Sequence, residues 1–255
     1  MNVIKRTAAR SPKTDSHVRL AQRHECHALA LIGAASFFDD PHDAYLYPNR
    51  KDHPKEYTQM YRHTIEDAMH EELSWVVVAE LPRQGIVGYA IWSRETEKER
   101  RVLQSLRAAG LKSARSDIPL LSRLAHRIRA ADIVESACAR WNPLIDSERL
   151  DQLWGDFSSQ SSIVSSSEPS DYWYLQEVAV APSHRFQGVG RDLLGWGQHW
   201  AAKEGLPILL ESTRSGRVLY QRAGFVNYGL WRWGKDGDMA WDLMRWTPPD
   251  SACST

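Results

Sequence analysis

The stretch VAVAPSHRFQGVG, residues 178–190, constrains this chain more than any other part of it. Apolar residues run into a turn at Pro182, followed by Arg185 and two glycines one residue apart, Gly188 and Gly190. The RDLLGWGQHW that comes next has the apolar spacing of a helix. Strand, glycine loop and helix in this order set an anion, a phosphate above all, at a helix N-terminus. Glycine lets the backbone approach the ligand, successive N–H groups point at its oxygens, and the helix adds its positive end. Three phosphate loops fail the pattern. Arg191 and Asp192 stand where G-x-x-x-x-G-K-[ST] needs its lysine and hydroxyl. Leu193 replaces the third glycine of G-x-G-x-x-G, and PSHRFQ holds the glycines away from the strand. The H-R-D and D-F-G partners of a kinase loop do not occur.

The elements around this loop alternate between strand and helix. His17–Leu20 reads as a short edge strand. Leu29, Ile32 and Ala35 predict a helix over His24–Phe38, stopped by DDPHD. Tyr57, Tyr61, Ile65 and Met69 mark a second helix over Glu56–Leu73. Trp75–Ala79 and Ile86–Trp92 form a hairpin across LPRQG. Residues 94–157 read as helical decoration inserted between two strands of one sheet, and the Ser-rich 158–170 as a mobile linker that supports no core. The pattern then resumes with strand Tyr172–Val180, helix Val189–Lys203 and a short buried strand, Ile208–Leu210. A short helix, Gly216–Ala223, and two Trp-rich strands, Val226–Trp233 and Met239–Trp246, complete it. The expected fold is α/β, a central mixed sheet flanked by helices. One domain spans 17–247, between a basic tail (1–16) and a C-terminal tail (248–255).

Composition removes several function classes. Lys and Arg together number 32, as do Asp and Glu, so no global field argues for a nucleic acid partner. No apolar run approaches the ~20 residues of a membrane span. Cys26, Cys138 and Cys253 lack paired spacing, which excludes a disulfide framework and suits a reducing interior, the cytoplasm. Lys5, Arg6, Arg10, Lys13, Arg19 and Arg23 read as a solvated stretch before and around the first strand rather than a transit peptide. His24, Glu25, Cys26 and His27 look metal-like, but the histidines are three apart on a helix, and no metal is expected. No G-x-S-x-G supports a serine hydrolase. Trp231, Trp233, Trp241 and Trp246 read as core, with an aromatic substrate pocket as the alternative.

A strand V-A-V followed by [R/Q]-x-x-G-x-[G/A] is filled here by Arg185, Gly188 and Gly190, and further on LYQRAGF supplies Leu219, Tyr220, Gly224 and Phe225 for [LF]-Y-x-x-x-G-F. In these two landmarks the chain resembles the GNAT superfamily of acyl-CoA-dependent N-acetyltransferases. LLESTRSGR, containing Ser212, resembles the strand and turn that close the family's cofactor cleft, and GIVGYAIW its third strand. AASFFDDP and YLYP resemble the substrate-side loop of a fungal-looking branch. The resemblance covers about 17–93 and 171–233 and leaves out the insertion. It implies acetyl-CoA as cosubstrate, bound by the backbones of Val178, Ala179 and Val180 and by Arg185, Phe186, Gln187, Gly188, Val189, Gly190 and Arg191, with Ser212 and Tyr220 at the cleft.

An amine is an ammonium near neutral pH, with a pKa of ~10.4 for the lysine type, and must lose a proton before attacking a thioester. The oxyanion then needs a donor and the departing thiolate a proton. By the resemblance, Val180 N–H is the donor and Tyr220 the general acid. The base stays open. Arylalkylamine-type relatives carry two histidines on this strand, where this chain has Tyr174 and Gln176. Glu177 is the nearest carboxylate, yet alternation sets it on the face opposite Tyr174 unless a bulge intervenes. Glu211, or a base acting through water, is the alternative. The catalytic candidates are thus Tyr220, Glu177 and Tyr174, and the expected acceptor is a small-molecule amine. A peptide lysine or N-terminus, or an acyl-CoA binder without catalysis, are the competing readings. Oligomeric state is not legible.

Overall fold

The computed structural model describes residues 16–97, 143–144, 146, 148–149, 152 and 169–249. Its strands are β1 (His17–Leu20), β2 (Ser74–Leu81), β3 (Gly85–Glu95), β4 (Tyr172–Val180), β5 (Ile208–Ser212), β6 (Val226–Trp233) and β7 (Met239–Trp246). The helices are α1 (Cys26–Phe37), α2 (Pro41–Leu46), α3 (Pro54–His70), α4 (Val189–Glu204) and α5 (Arg217–Arg222). The expected linker over 158–170, apart from residues 169 and 170, and most of the 94–157 insertion lie outside the described residues. Of the described positions between 94 and 157, Leu144 is buried in the core and Pro143 accepts a hydrogen bond from Asn49 at 2.8 Å.

The strands form one mixed sheet in the order β1-β2-β3-β4-β5-β7-β6. Every neighbouring pair is antiparallel except β4 and β5. That parallel pair is joined across α4, the crossover a parallel connection requires. One face of the sheet carries α1 and α3 over Val76, Val78, Tyr89, Ile91, Trp231, Trp233, Trp241 and Leu243. The other carries α4 over Val77, Ala79, Ala90, Trp92, Trp173, Leu175, Leu210 and Met244. The core therefore lies in two layers with the sheet between them.

Two glycines set how closely the helices approach. A Cβ on Gly33 would lie 2.3 Å from Tyr89 Oη, and one on Gly197 would lie 2.3 Å from Trp92 Cζ2. This close approach moves the buried stripe of α1 from the expected Leu29, Ile32 and Ala35 to Cys26, Leu29, Ala30, Gly33 and Ala34, leaving Ala35 exposed. DDPHD does not simply stop α1. Asp40 accepts a hydrogen bond from the His42 amide at 2.9 Å, and Pro41 takes the first position of a new helix, α2. Arg19, read as part of a solvated stretch, sits in β1 and pairs with Glu25 at 2.6 Å and Glu80 at 2.5 Å.

Candidate active site

The sheet opens at its centre. β4 and β5 pair only at Trp173↔Ile208 and Tyr174↔Leu209 among the described residues, then diverge. Beyond that seam the β4 edge facing β5 is unpaired. Ala181 N–H donates to the Val87 carbonyl at 2.9 Å, and Gly88 faces Val180 in register. Gly88 and Val180 are therefore a non-hydrogen-bonded pair, so the N–H and C=O of Val180 and Val178 point away from β3, into the opening. Ala179 holds the alternate position and turns its backbone to Tyr89. Of the three residues expected to offer backbone groups, two face the opening. The Val180 carbonyl there accepts a hydrogen bond from Ser36 Oγ at 2.9 Å.

The glycine loop closes one end of this opening. Gly188 has a left-handed φ of 95°, which only glycine adopts without strain, and turns the chain into α4. No side chain caps that helix, and its first backbone bond is Asp192 N–H to Gly188 O at 3.1 Å. The amides of Val189, Gly190 and Arg191 thus have no carbonyl within their own helix to bond. Gly190 serves a second purpose, since a Cβ there would lie 3.1 Å from Leu219 Cδ2, so its missing side chain lets α5 pack against α4. Val189 is buried, whereas Arg191 is exposed beside Asp192. Arg185 Nη2 donates to the Ser36 carbonyl at 2.6 Å, in the last turn of α1. Gln187 donates to Ser183 O at 3.1 Å. Phe186 has a positive φ of 63° and a fully exposed ring. Ser212 is buried with its hydroxyl donating to Thr213 O at 2.8 Å, so its oxygen is turned to its own chain.

Tyr220 lies on the α4 side of the sheet, packed with Val178, Val180, Leu219 and Phe225. Its ring meets Phe225 edge-on at 5.8 Å, and Gly216 leaves room for it, since a Cβ there would lie 3.0 Å from Tyr220 Cε2.

The carboxylates lie on the opposite face. The register of β3 against β4 shifts between Ile91 and Trp92, whose partners are Glu177 and Leu175. Gln176 is the extra residue, and this bulge returns Glu177 to the face of Tyr174. Glu177 is 6% exposed and accepts a hydrogen bond from Tyr89. Tyr174 donates to Glu211 across the seam, which ties two of the candidates to each other. A small cavity beside Glu177 is lined by Phe37, His42, Asp43, Tyr61 and Trp241.

Asp43, which the sequence reading assigned to a helix stop, accepts hydrogen bonds from both Tyr57 and Tyr61 at 2.5 Å. The four-residue spacing of those tyrosines was its signal; their hydroxyls, not only their rings, share a face. Burial, and then the neighbouring Asp43, push the Tyr57 and Tyr61 phenols well above their ordinary range; burial and then Glu177 do the same to Tyr89. These phenols stay neutral and donate to the carboxylates. His42 bridges Asp40 at 3.0 Å and the Ala240 carbonyl at 3.2 Å, with its ring stacked on Trp241. Trp231 and Trp233 are core residues, Trp241 is both core and cavity wall, and Trp246 packs on the other face.

A profile of the acetyltransferase (GNAT) domain family matches residues 158–227. Comparison of the sequence with curated proteins finds no match. Among solved structures, a protein from Corynebacterium glutamicum described as histone acetyltransferase HPA2 and related acetyltransferase is similar with a TM-score of 0.55 and 21% identity. The match covers 92% of this chain and 96% of that one. Arylalkylamine N-acetyltransferase 2 from Aedes aegypti gives 0.51 at 10% identity, over 92% and 100% of the two chains. An agmatine N-acetyltransferase mutant gives 0.50 at 13% identity, over 91% and 99%. At these identities the likeness is one of fold. Among the described residues no group of His, Cys, Asp and Glu could hold a metal ion, and no helix is long and apolar enough to cross a membrane.

Proposed function

We propose, from the match of residues 158–227 to the GNAT acetyltransferase domain family, that this chain transfers the acetyl group of acetyl-CoA to the amine of a small molecule by direct attack. One observation carries this reading. β4 diverges from β5 and leaves outward backbone groups at Val178 and Val180, with Tyr220 in the apolar cluster beside them on one face of the sheet and Glu177 on the other. A pantetheine arm with its alternating amides would pair with Val178 and Val180, and a pyrophosphate would meet the amides of Val189, Gly190 and Arg191.

The residues divide the chemistry between them. Glu177 takes a proton from the incoming ammonium, with Tyr89 holding the carboxylate in place. The neutral amine attacks the carbonyl carbon, a C–N bond forms, and the Val180 N–H supports the charge on the carbonyl oxygen. The C–S bond then breaks, and the Tyr220 phenol gives its proton to the departing thiolate. An ordinary phenol, with a pKa near ~10, is protonated at neutral pH and ready for this step. The amide product loses its second nitrogen proton to solvent or, in effect, to the Tyr220 phenolate. Glu177 and Tyr220 lie on opposite faces of the sheet, so acid and base act from opposite sides of the reacting carbon. Support for a small acceptor comes from the small cavity at Glu177, whose described walls are the rings of Phe37, His42, Tyr61 and Trp241 together with Asp43. A buried, unpaired Cys26 suits a cytoplasmic location.

The test is steady-state kinetics on Tyr220→Phe with acetyl-CoA and a panel of ethylamine, putrescine, agmatine, tryptamine and a lysine-containing peptide. Turnover should fall ~10²-fold while acetyl-CoA binding changes little. Retention of more than about half the turnover removes Tyr220 from the mechanism. Acetylation of the peptide alone would overturn the small-molecule acceptor.

A further inference from the structure

The helix that carries Tyr220 cannot hold its own position. α5 is six residues long, Arg217–Arg222, far short of the ~12 or more that an isolated helix needs to be stable in water. Its placement must come from what it touches. Leu219 packs at Gly190, in the first turn of α4. The Ala223 carbonyl, just past the last turn, accepts a hydrogen bond from Gln198 Nε2 of α4 at 2.7 Å. Both contacts tie α5 to the neighbouring helix. At its first residue α5 is tied to the sheet. Arg217 donates through Nε at 2.6 Å and lies through Nη2 at 2.5 Å from the same oxygen of Asp242, Oδ2. The other oxygen, Oδ1, accepts from Asn227 Nδ2 at 2.7 Å.

Asp242 is an unusual residue for its place. It lies within β7, 4% exposed, on the face shared with Met244 and the apolar cluster around Tyr220. A carboxylate moved from water to such a site meets a desolvation penalty that its partners roughly offset, and an apolar pair of equal volume would hold the helix at least as firmly. What an apolar pair lacks is direction. Two guanidinium nitrogens converging on one carboxylate oxygen restrict the angle as well as the distance, and the second oxygen, held by Asn227 from β6, keeps the acceptor from rotating. Tyr220 stands one helical turn after Arg217, on the side facing the same cluster, so the angle set at Arg217 is the angle at which the phenol is presented.

We infer that Arg217 and Asp242 are positioning residues for Tyr220, a role that rests on the proposed function of that phenol as the acid. The ion pair presents the hydroxyl to the thiolate, where a misplacement of about 1 Å can lower turnover up to ~10²-fold. The described partner of the Arg217 guanidinium is Asp242, and its head group is partly exposed.

A double-mutant cycle in turnover tests this, with acetyl-CoA and the fastest amine of the panel above, on wild type, Arg217→Gln, Tyr220→Phe and the pair together. In the wild-type background Arg217→Gln should lower kcat at least ~10-fold, with KM for acetyl-CoA within about threefold. In the Tyr220→Phe background the same change should lower kcat by less than about twofold, because the group it positions is already gone. Arg217→Lys keeps the charge without the fork and should fall between. Equal losses in both backgrounds, or no loss in the wild-type background, overturn the inference. A Tyr220→Phe enzyme that keeps its turnover refutes the acid itself, an outcome the single mutant separates from the first two. If Arg217→Gln fails to fold, Asp242→Asn, which keeps the volume and one acceptor, enters the same cycle with the same expected pattern.

Discussion

Replacing Gly33 by alanine adds one methyl group to α1, and the structure says where it lands. The new Cβ would lie 2.3 Å from Tyr89 Oη, 2.7 Å from Tyr61 Cδ1 and 3.1 Å from Tyr61 Cγ, all inside the ~3.5–4.0 Å of ordinary contact. Neither ring can withdraw freely, because Tyr89 is bonded to Glu177 and Tyr61 to Asp43. Either α1 lifts from the sheet or a buried phenol lets go of its carboxylate. Overpacking costs about 1–3 kcal/mol, and loss of a hydrogen bond to a charged acceptor adds ~1.5–3 kcal/mol. Helix propensity returns about 1 kcal/mol, since alanine is the better helix former. The net expectation is a loss of ~1.5–5 kcal/mol. Gly197→Ala should also destabilise, because its Cβ would lie 2.3–2.5 Å from three atoms of the buried Trp92 ring. Gly195, two residues away on the exposed side of α4, has nothing within 4 Å, so Gly195→Ala should gain about 1 kcal/mol from propensity alone. Urea unfolding midpoints at unchanged slope give the order: Gly195→Ala above wild type, the other two well below. Wild-type or higher stability in both Gly33→Ala and Gly197→Ala would refute the close approach of the two helices to the sheet.

Two predictions concern pH. Tyr57, Tyr61 and Tyr89 keep their protons in the folded protein, whereas in the unfolded chain they ionise near ~10. The stability they contribute is complete below that value and is lost as pH rises beyond it. Ultraviolet titration should therefore show three phenols ionising only together with unfolding; their ionisation near ~10 in protein that is still folded would sink the assignment. At the other end, the Arg19 hydrogen bond holds the Glu25 carboxyl below the usual carboxylate range, against its burial. That contribution is present above the unfolded value of ~4.3 and fades as pH falls through the lowered one. Arg19→Gln should cost about 1 kcal/mol at neutral pH, reduced by partial exposure, and nothing in strong acid. A stability difference that persists unchanged in acid would contradict it.

Strands rich in aromatic and β-branched residues and bounded by clear turns announce themselves. Tyr172–Val180, Val226–Trp233 and Met239–Trp246 run as their residues suggest, because alternation and bounding turns leave little freedom. The start of α2 is equally visible in Asp40-Pro41, an N-cap followed by proline, within the same segment that ends α1. Other features had no local signal. The bulge at Gln176 arises from how β3 and β4 meet, and it alone decides the face on which Glu177 lies. Arg185 carries the right letter for an anion, yet its guanidinium rests on the end of α1, a partner 149 residues away in sequence. Asp43 is a partial case: the spacing of Tyr57 and Tyr61 shows that they share a helix face, but nothing local shows that α2 lays Asp43 against it.

An unpaired strand edge ordinarily invites another chain, and with it aggregation. The two outer edges of this sheet are poor templates. β1 is four residues long and holds the charged Arg19, while β6 loses its register between Asn227 and Gly229 and carries Arg232. The edge left open on β4 lies inside the sheet, between strands that part from a common seam, with α1 over one face and α4 over the other. A second polypeptide would have to bring side chains on both faces of its strand, and the two helices bar them. A slender chain with amides but no side chains meets no such barrier. Under the proposed function, the fold keeps that edge open for a linear ligand while the helices on both faces oppose the entry of a protein strand.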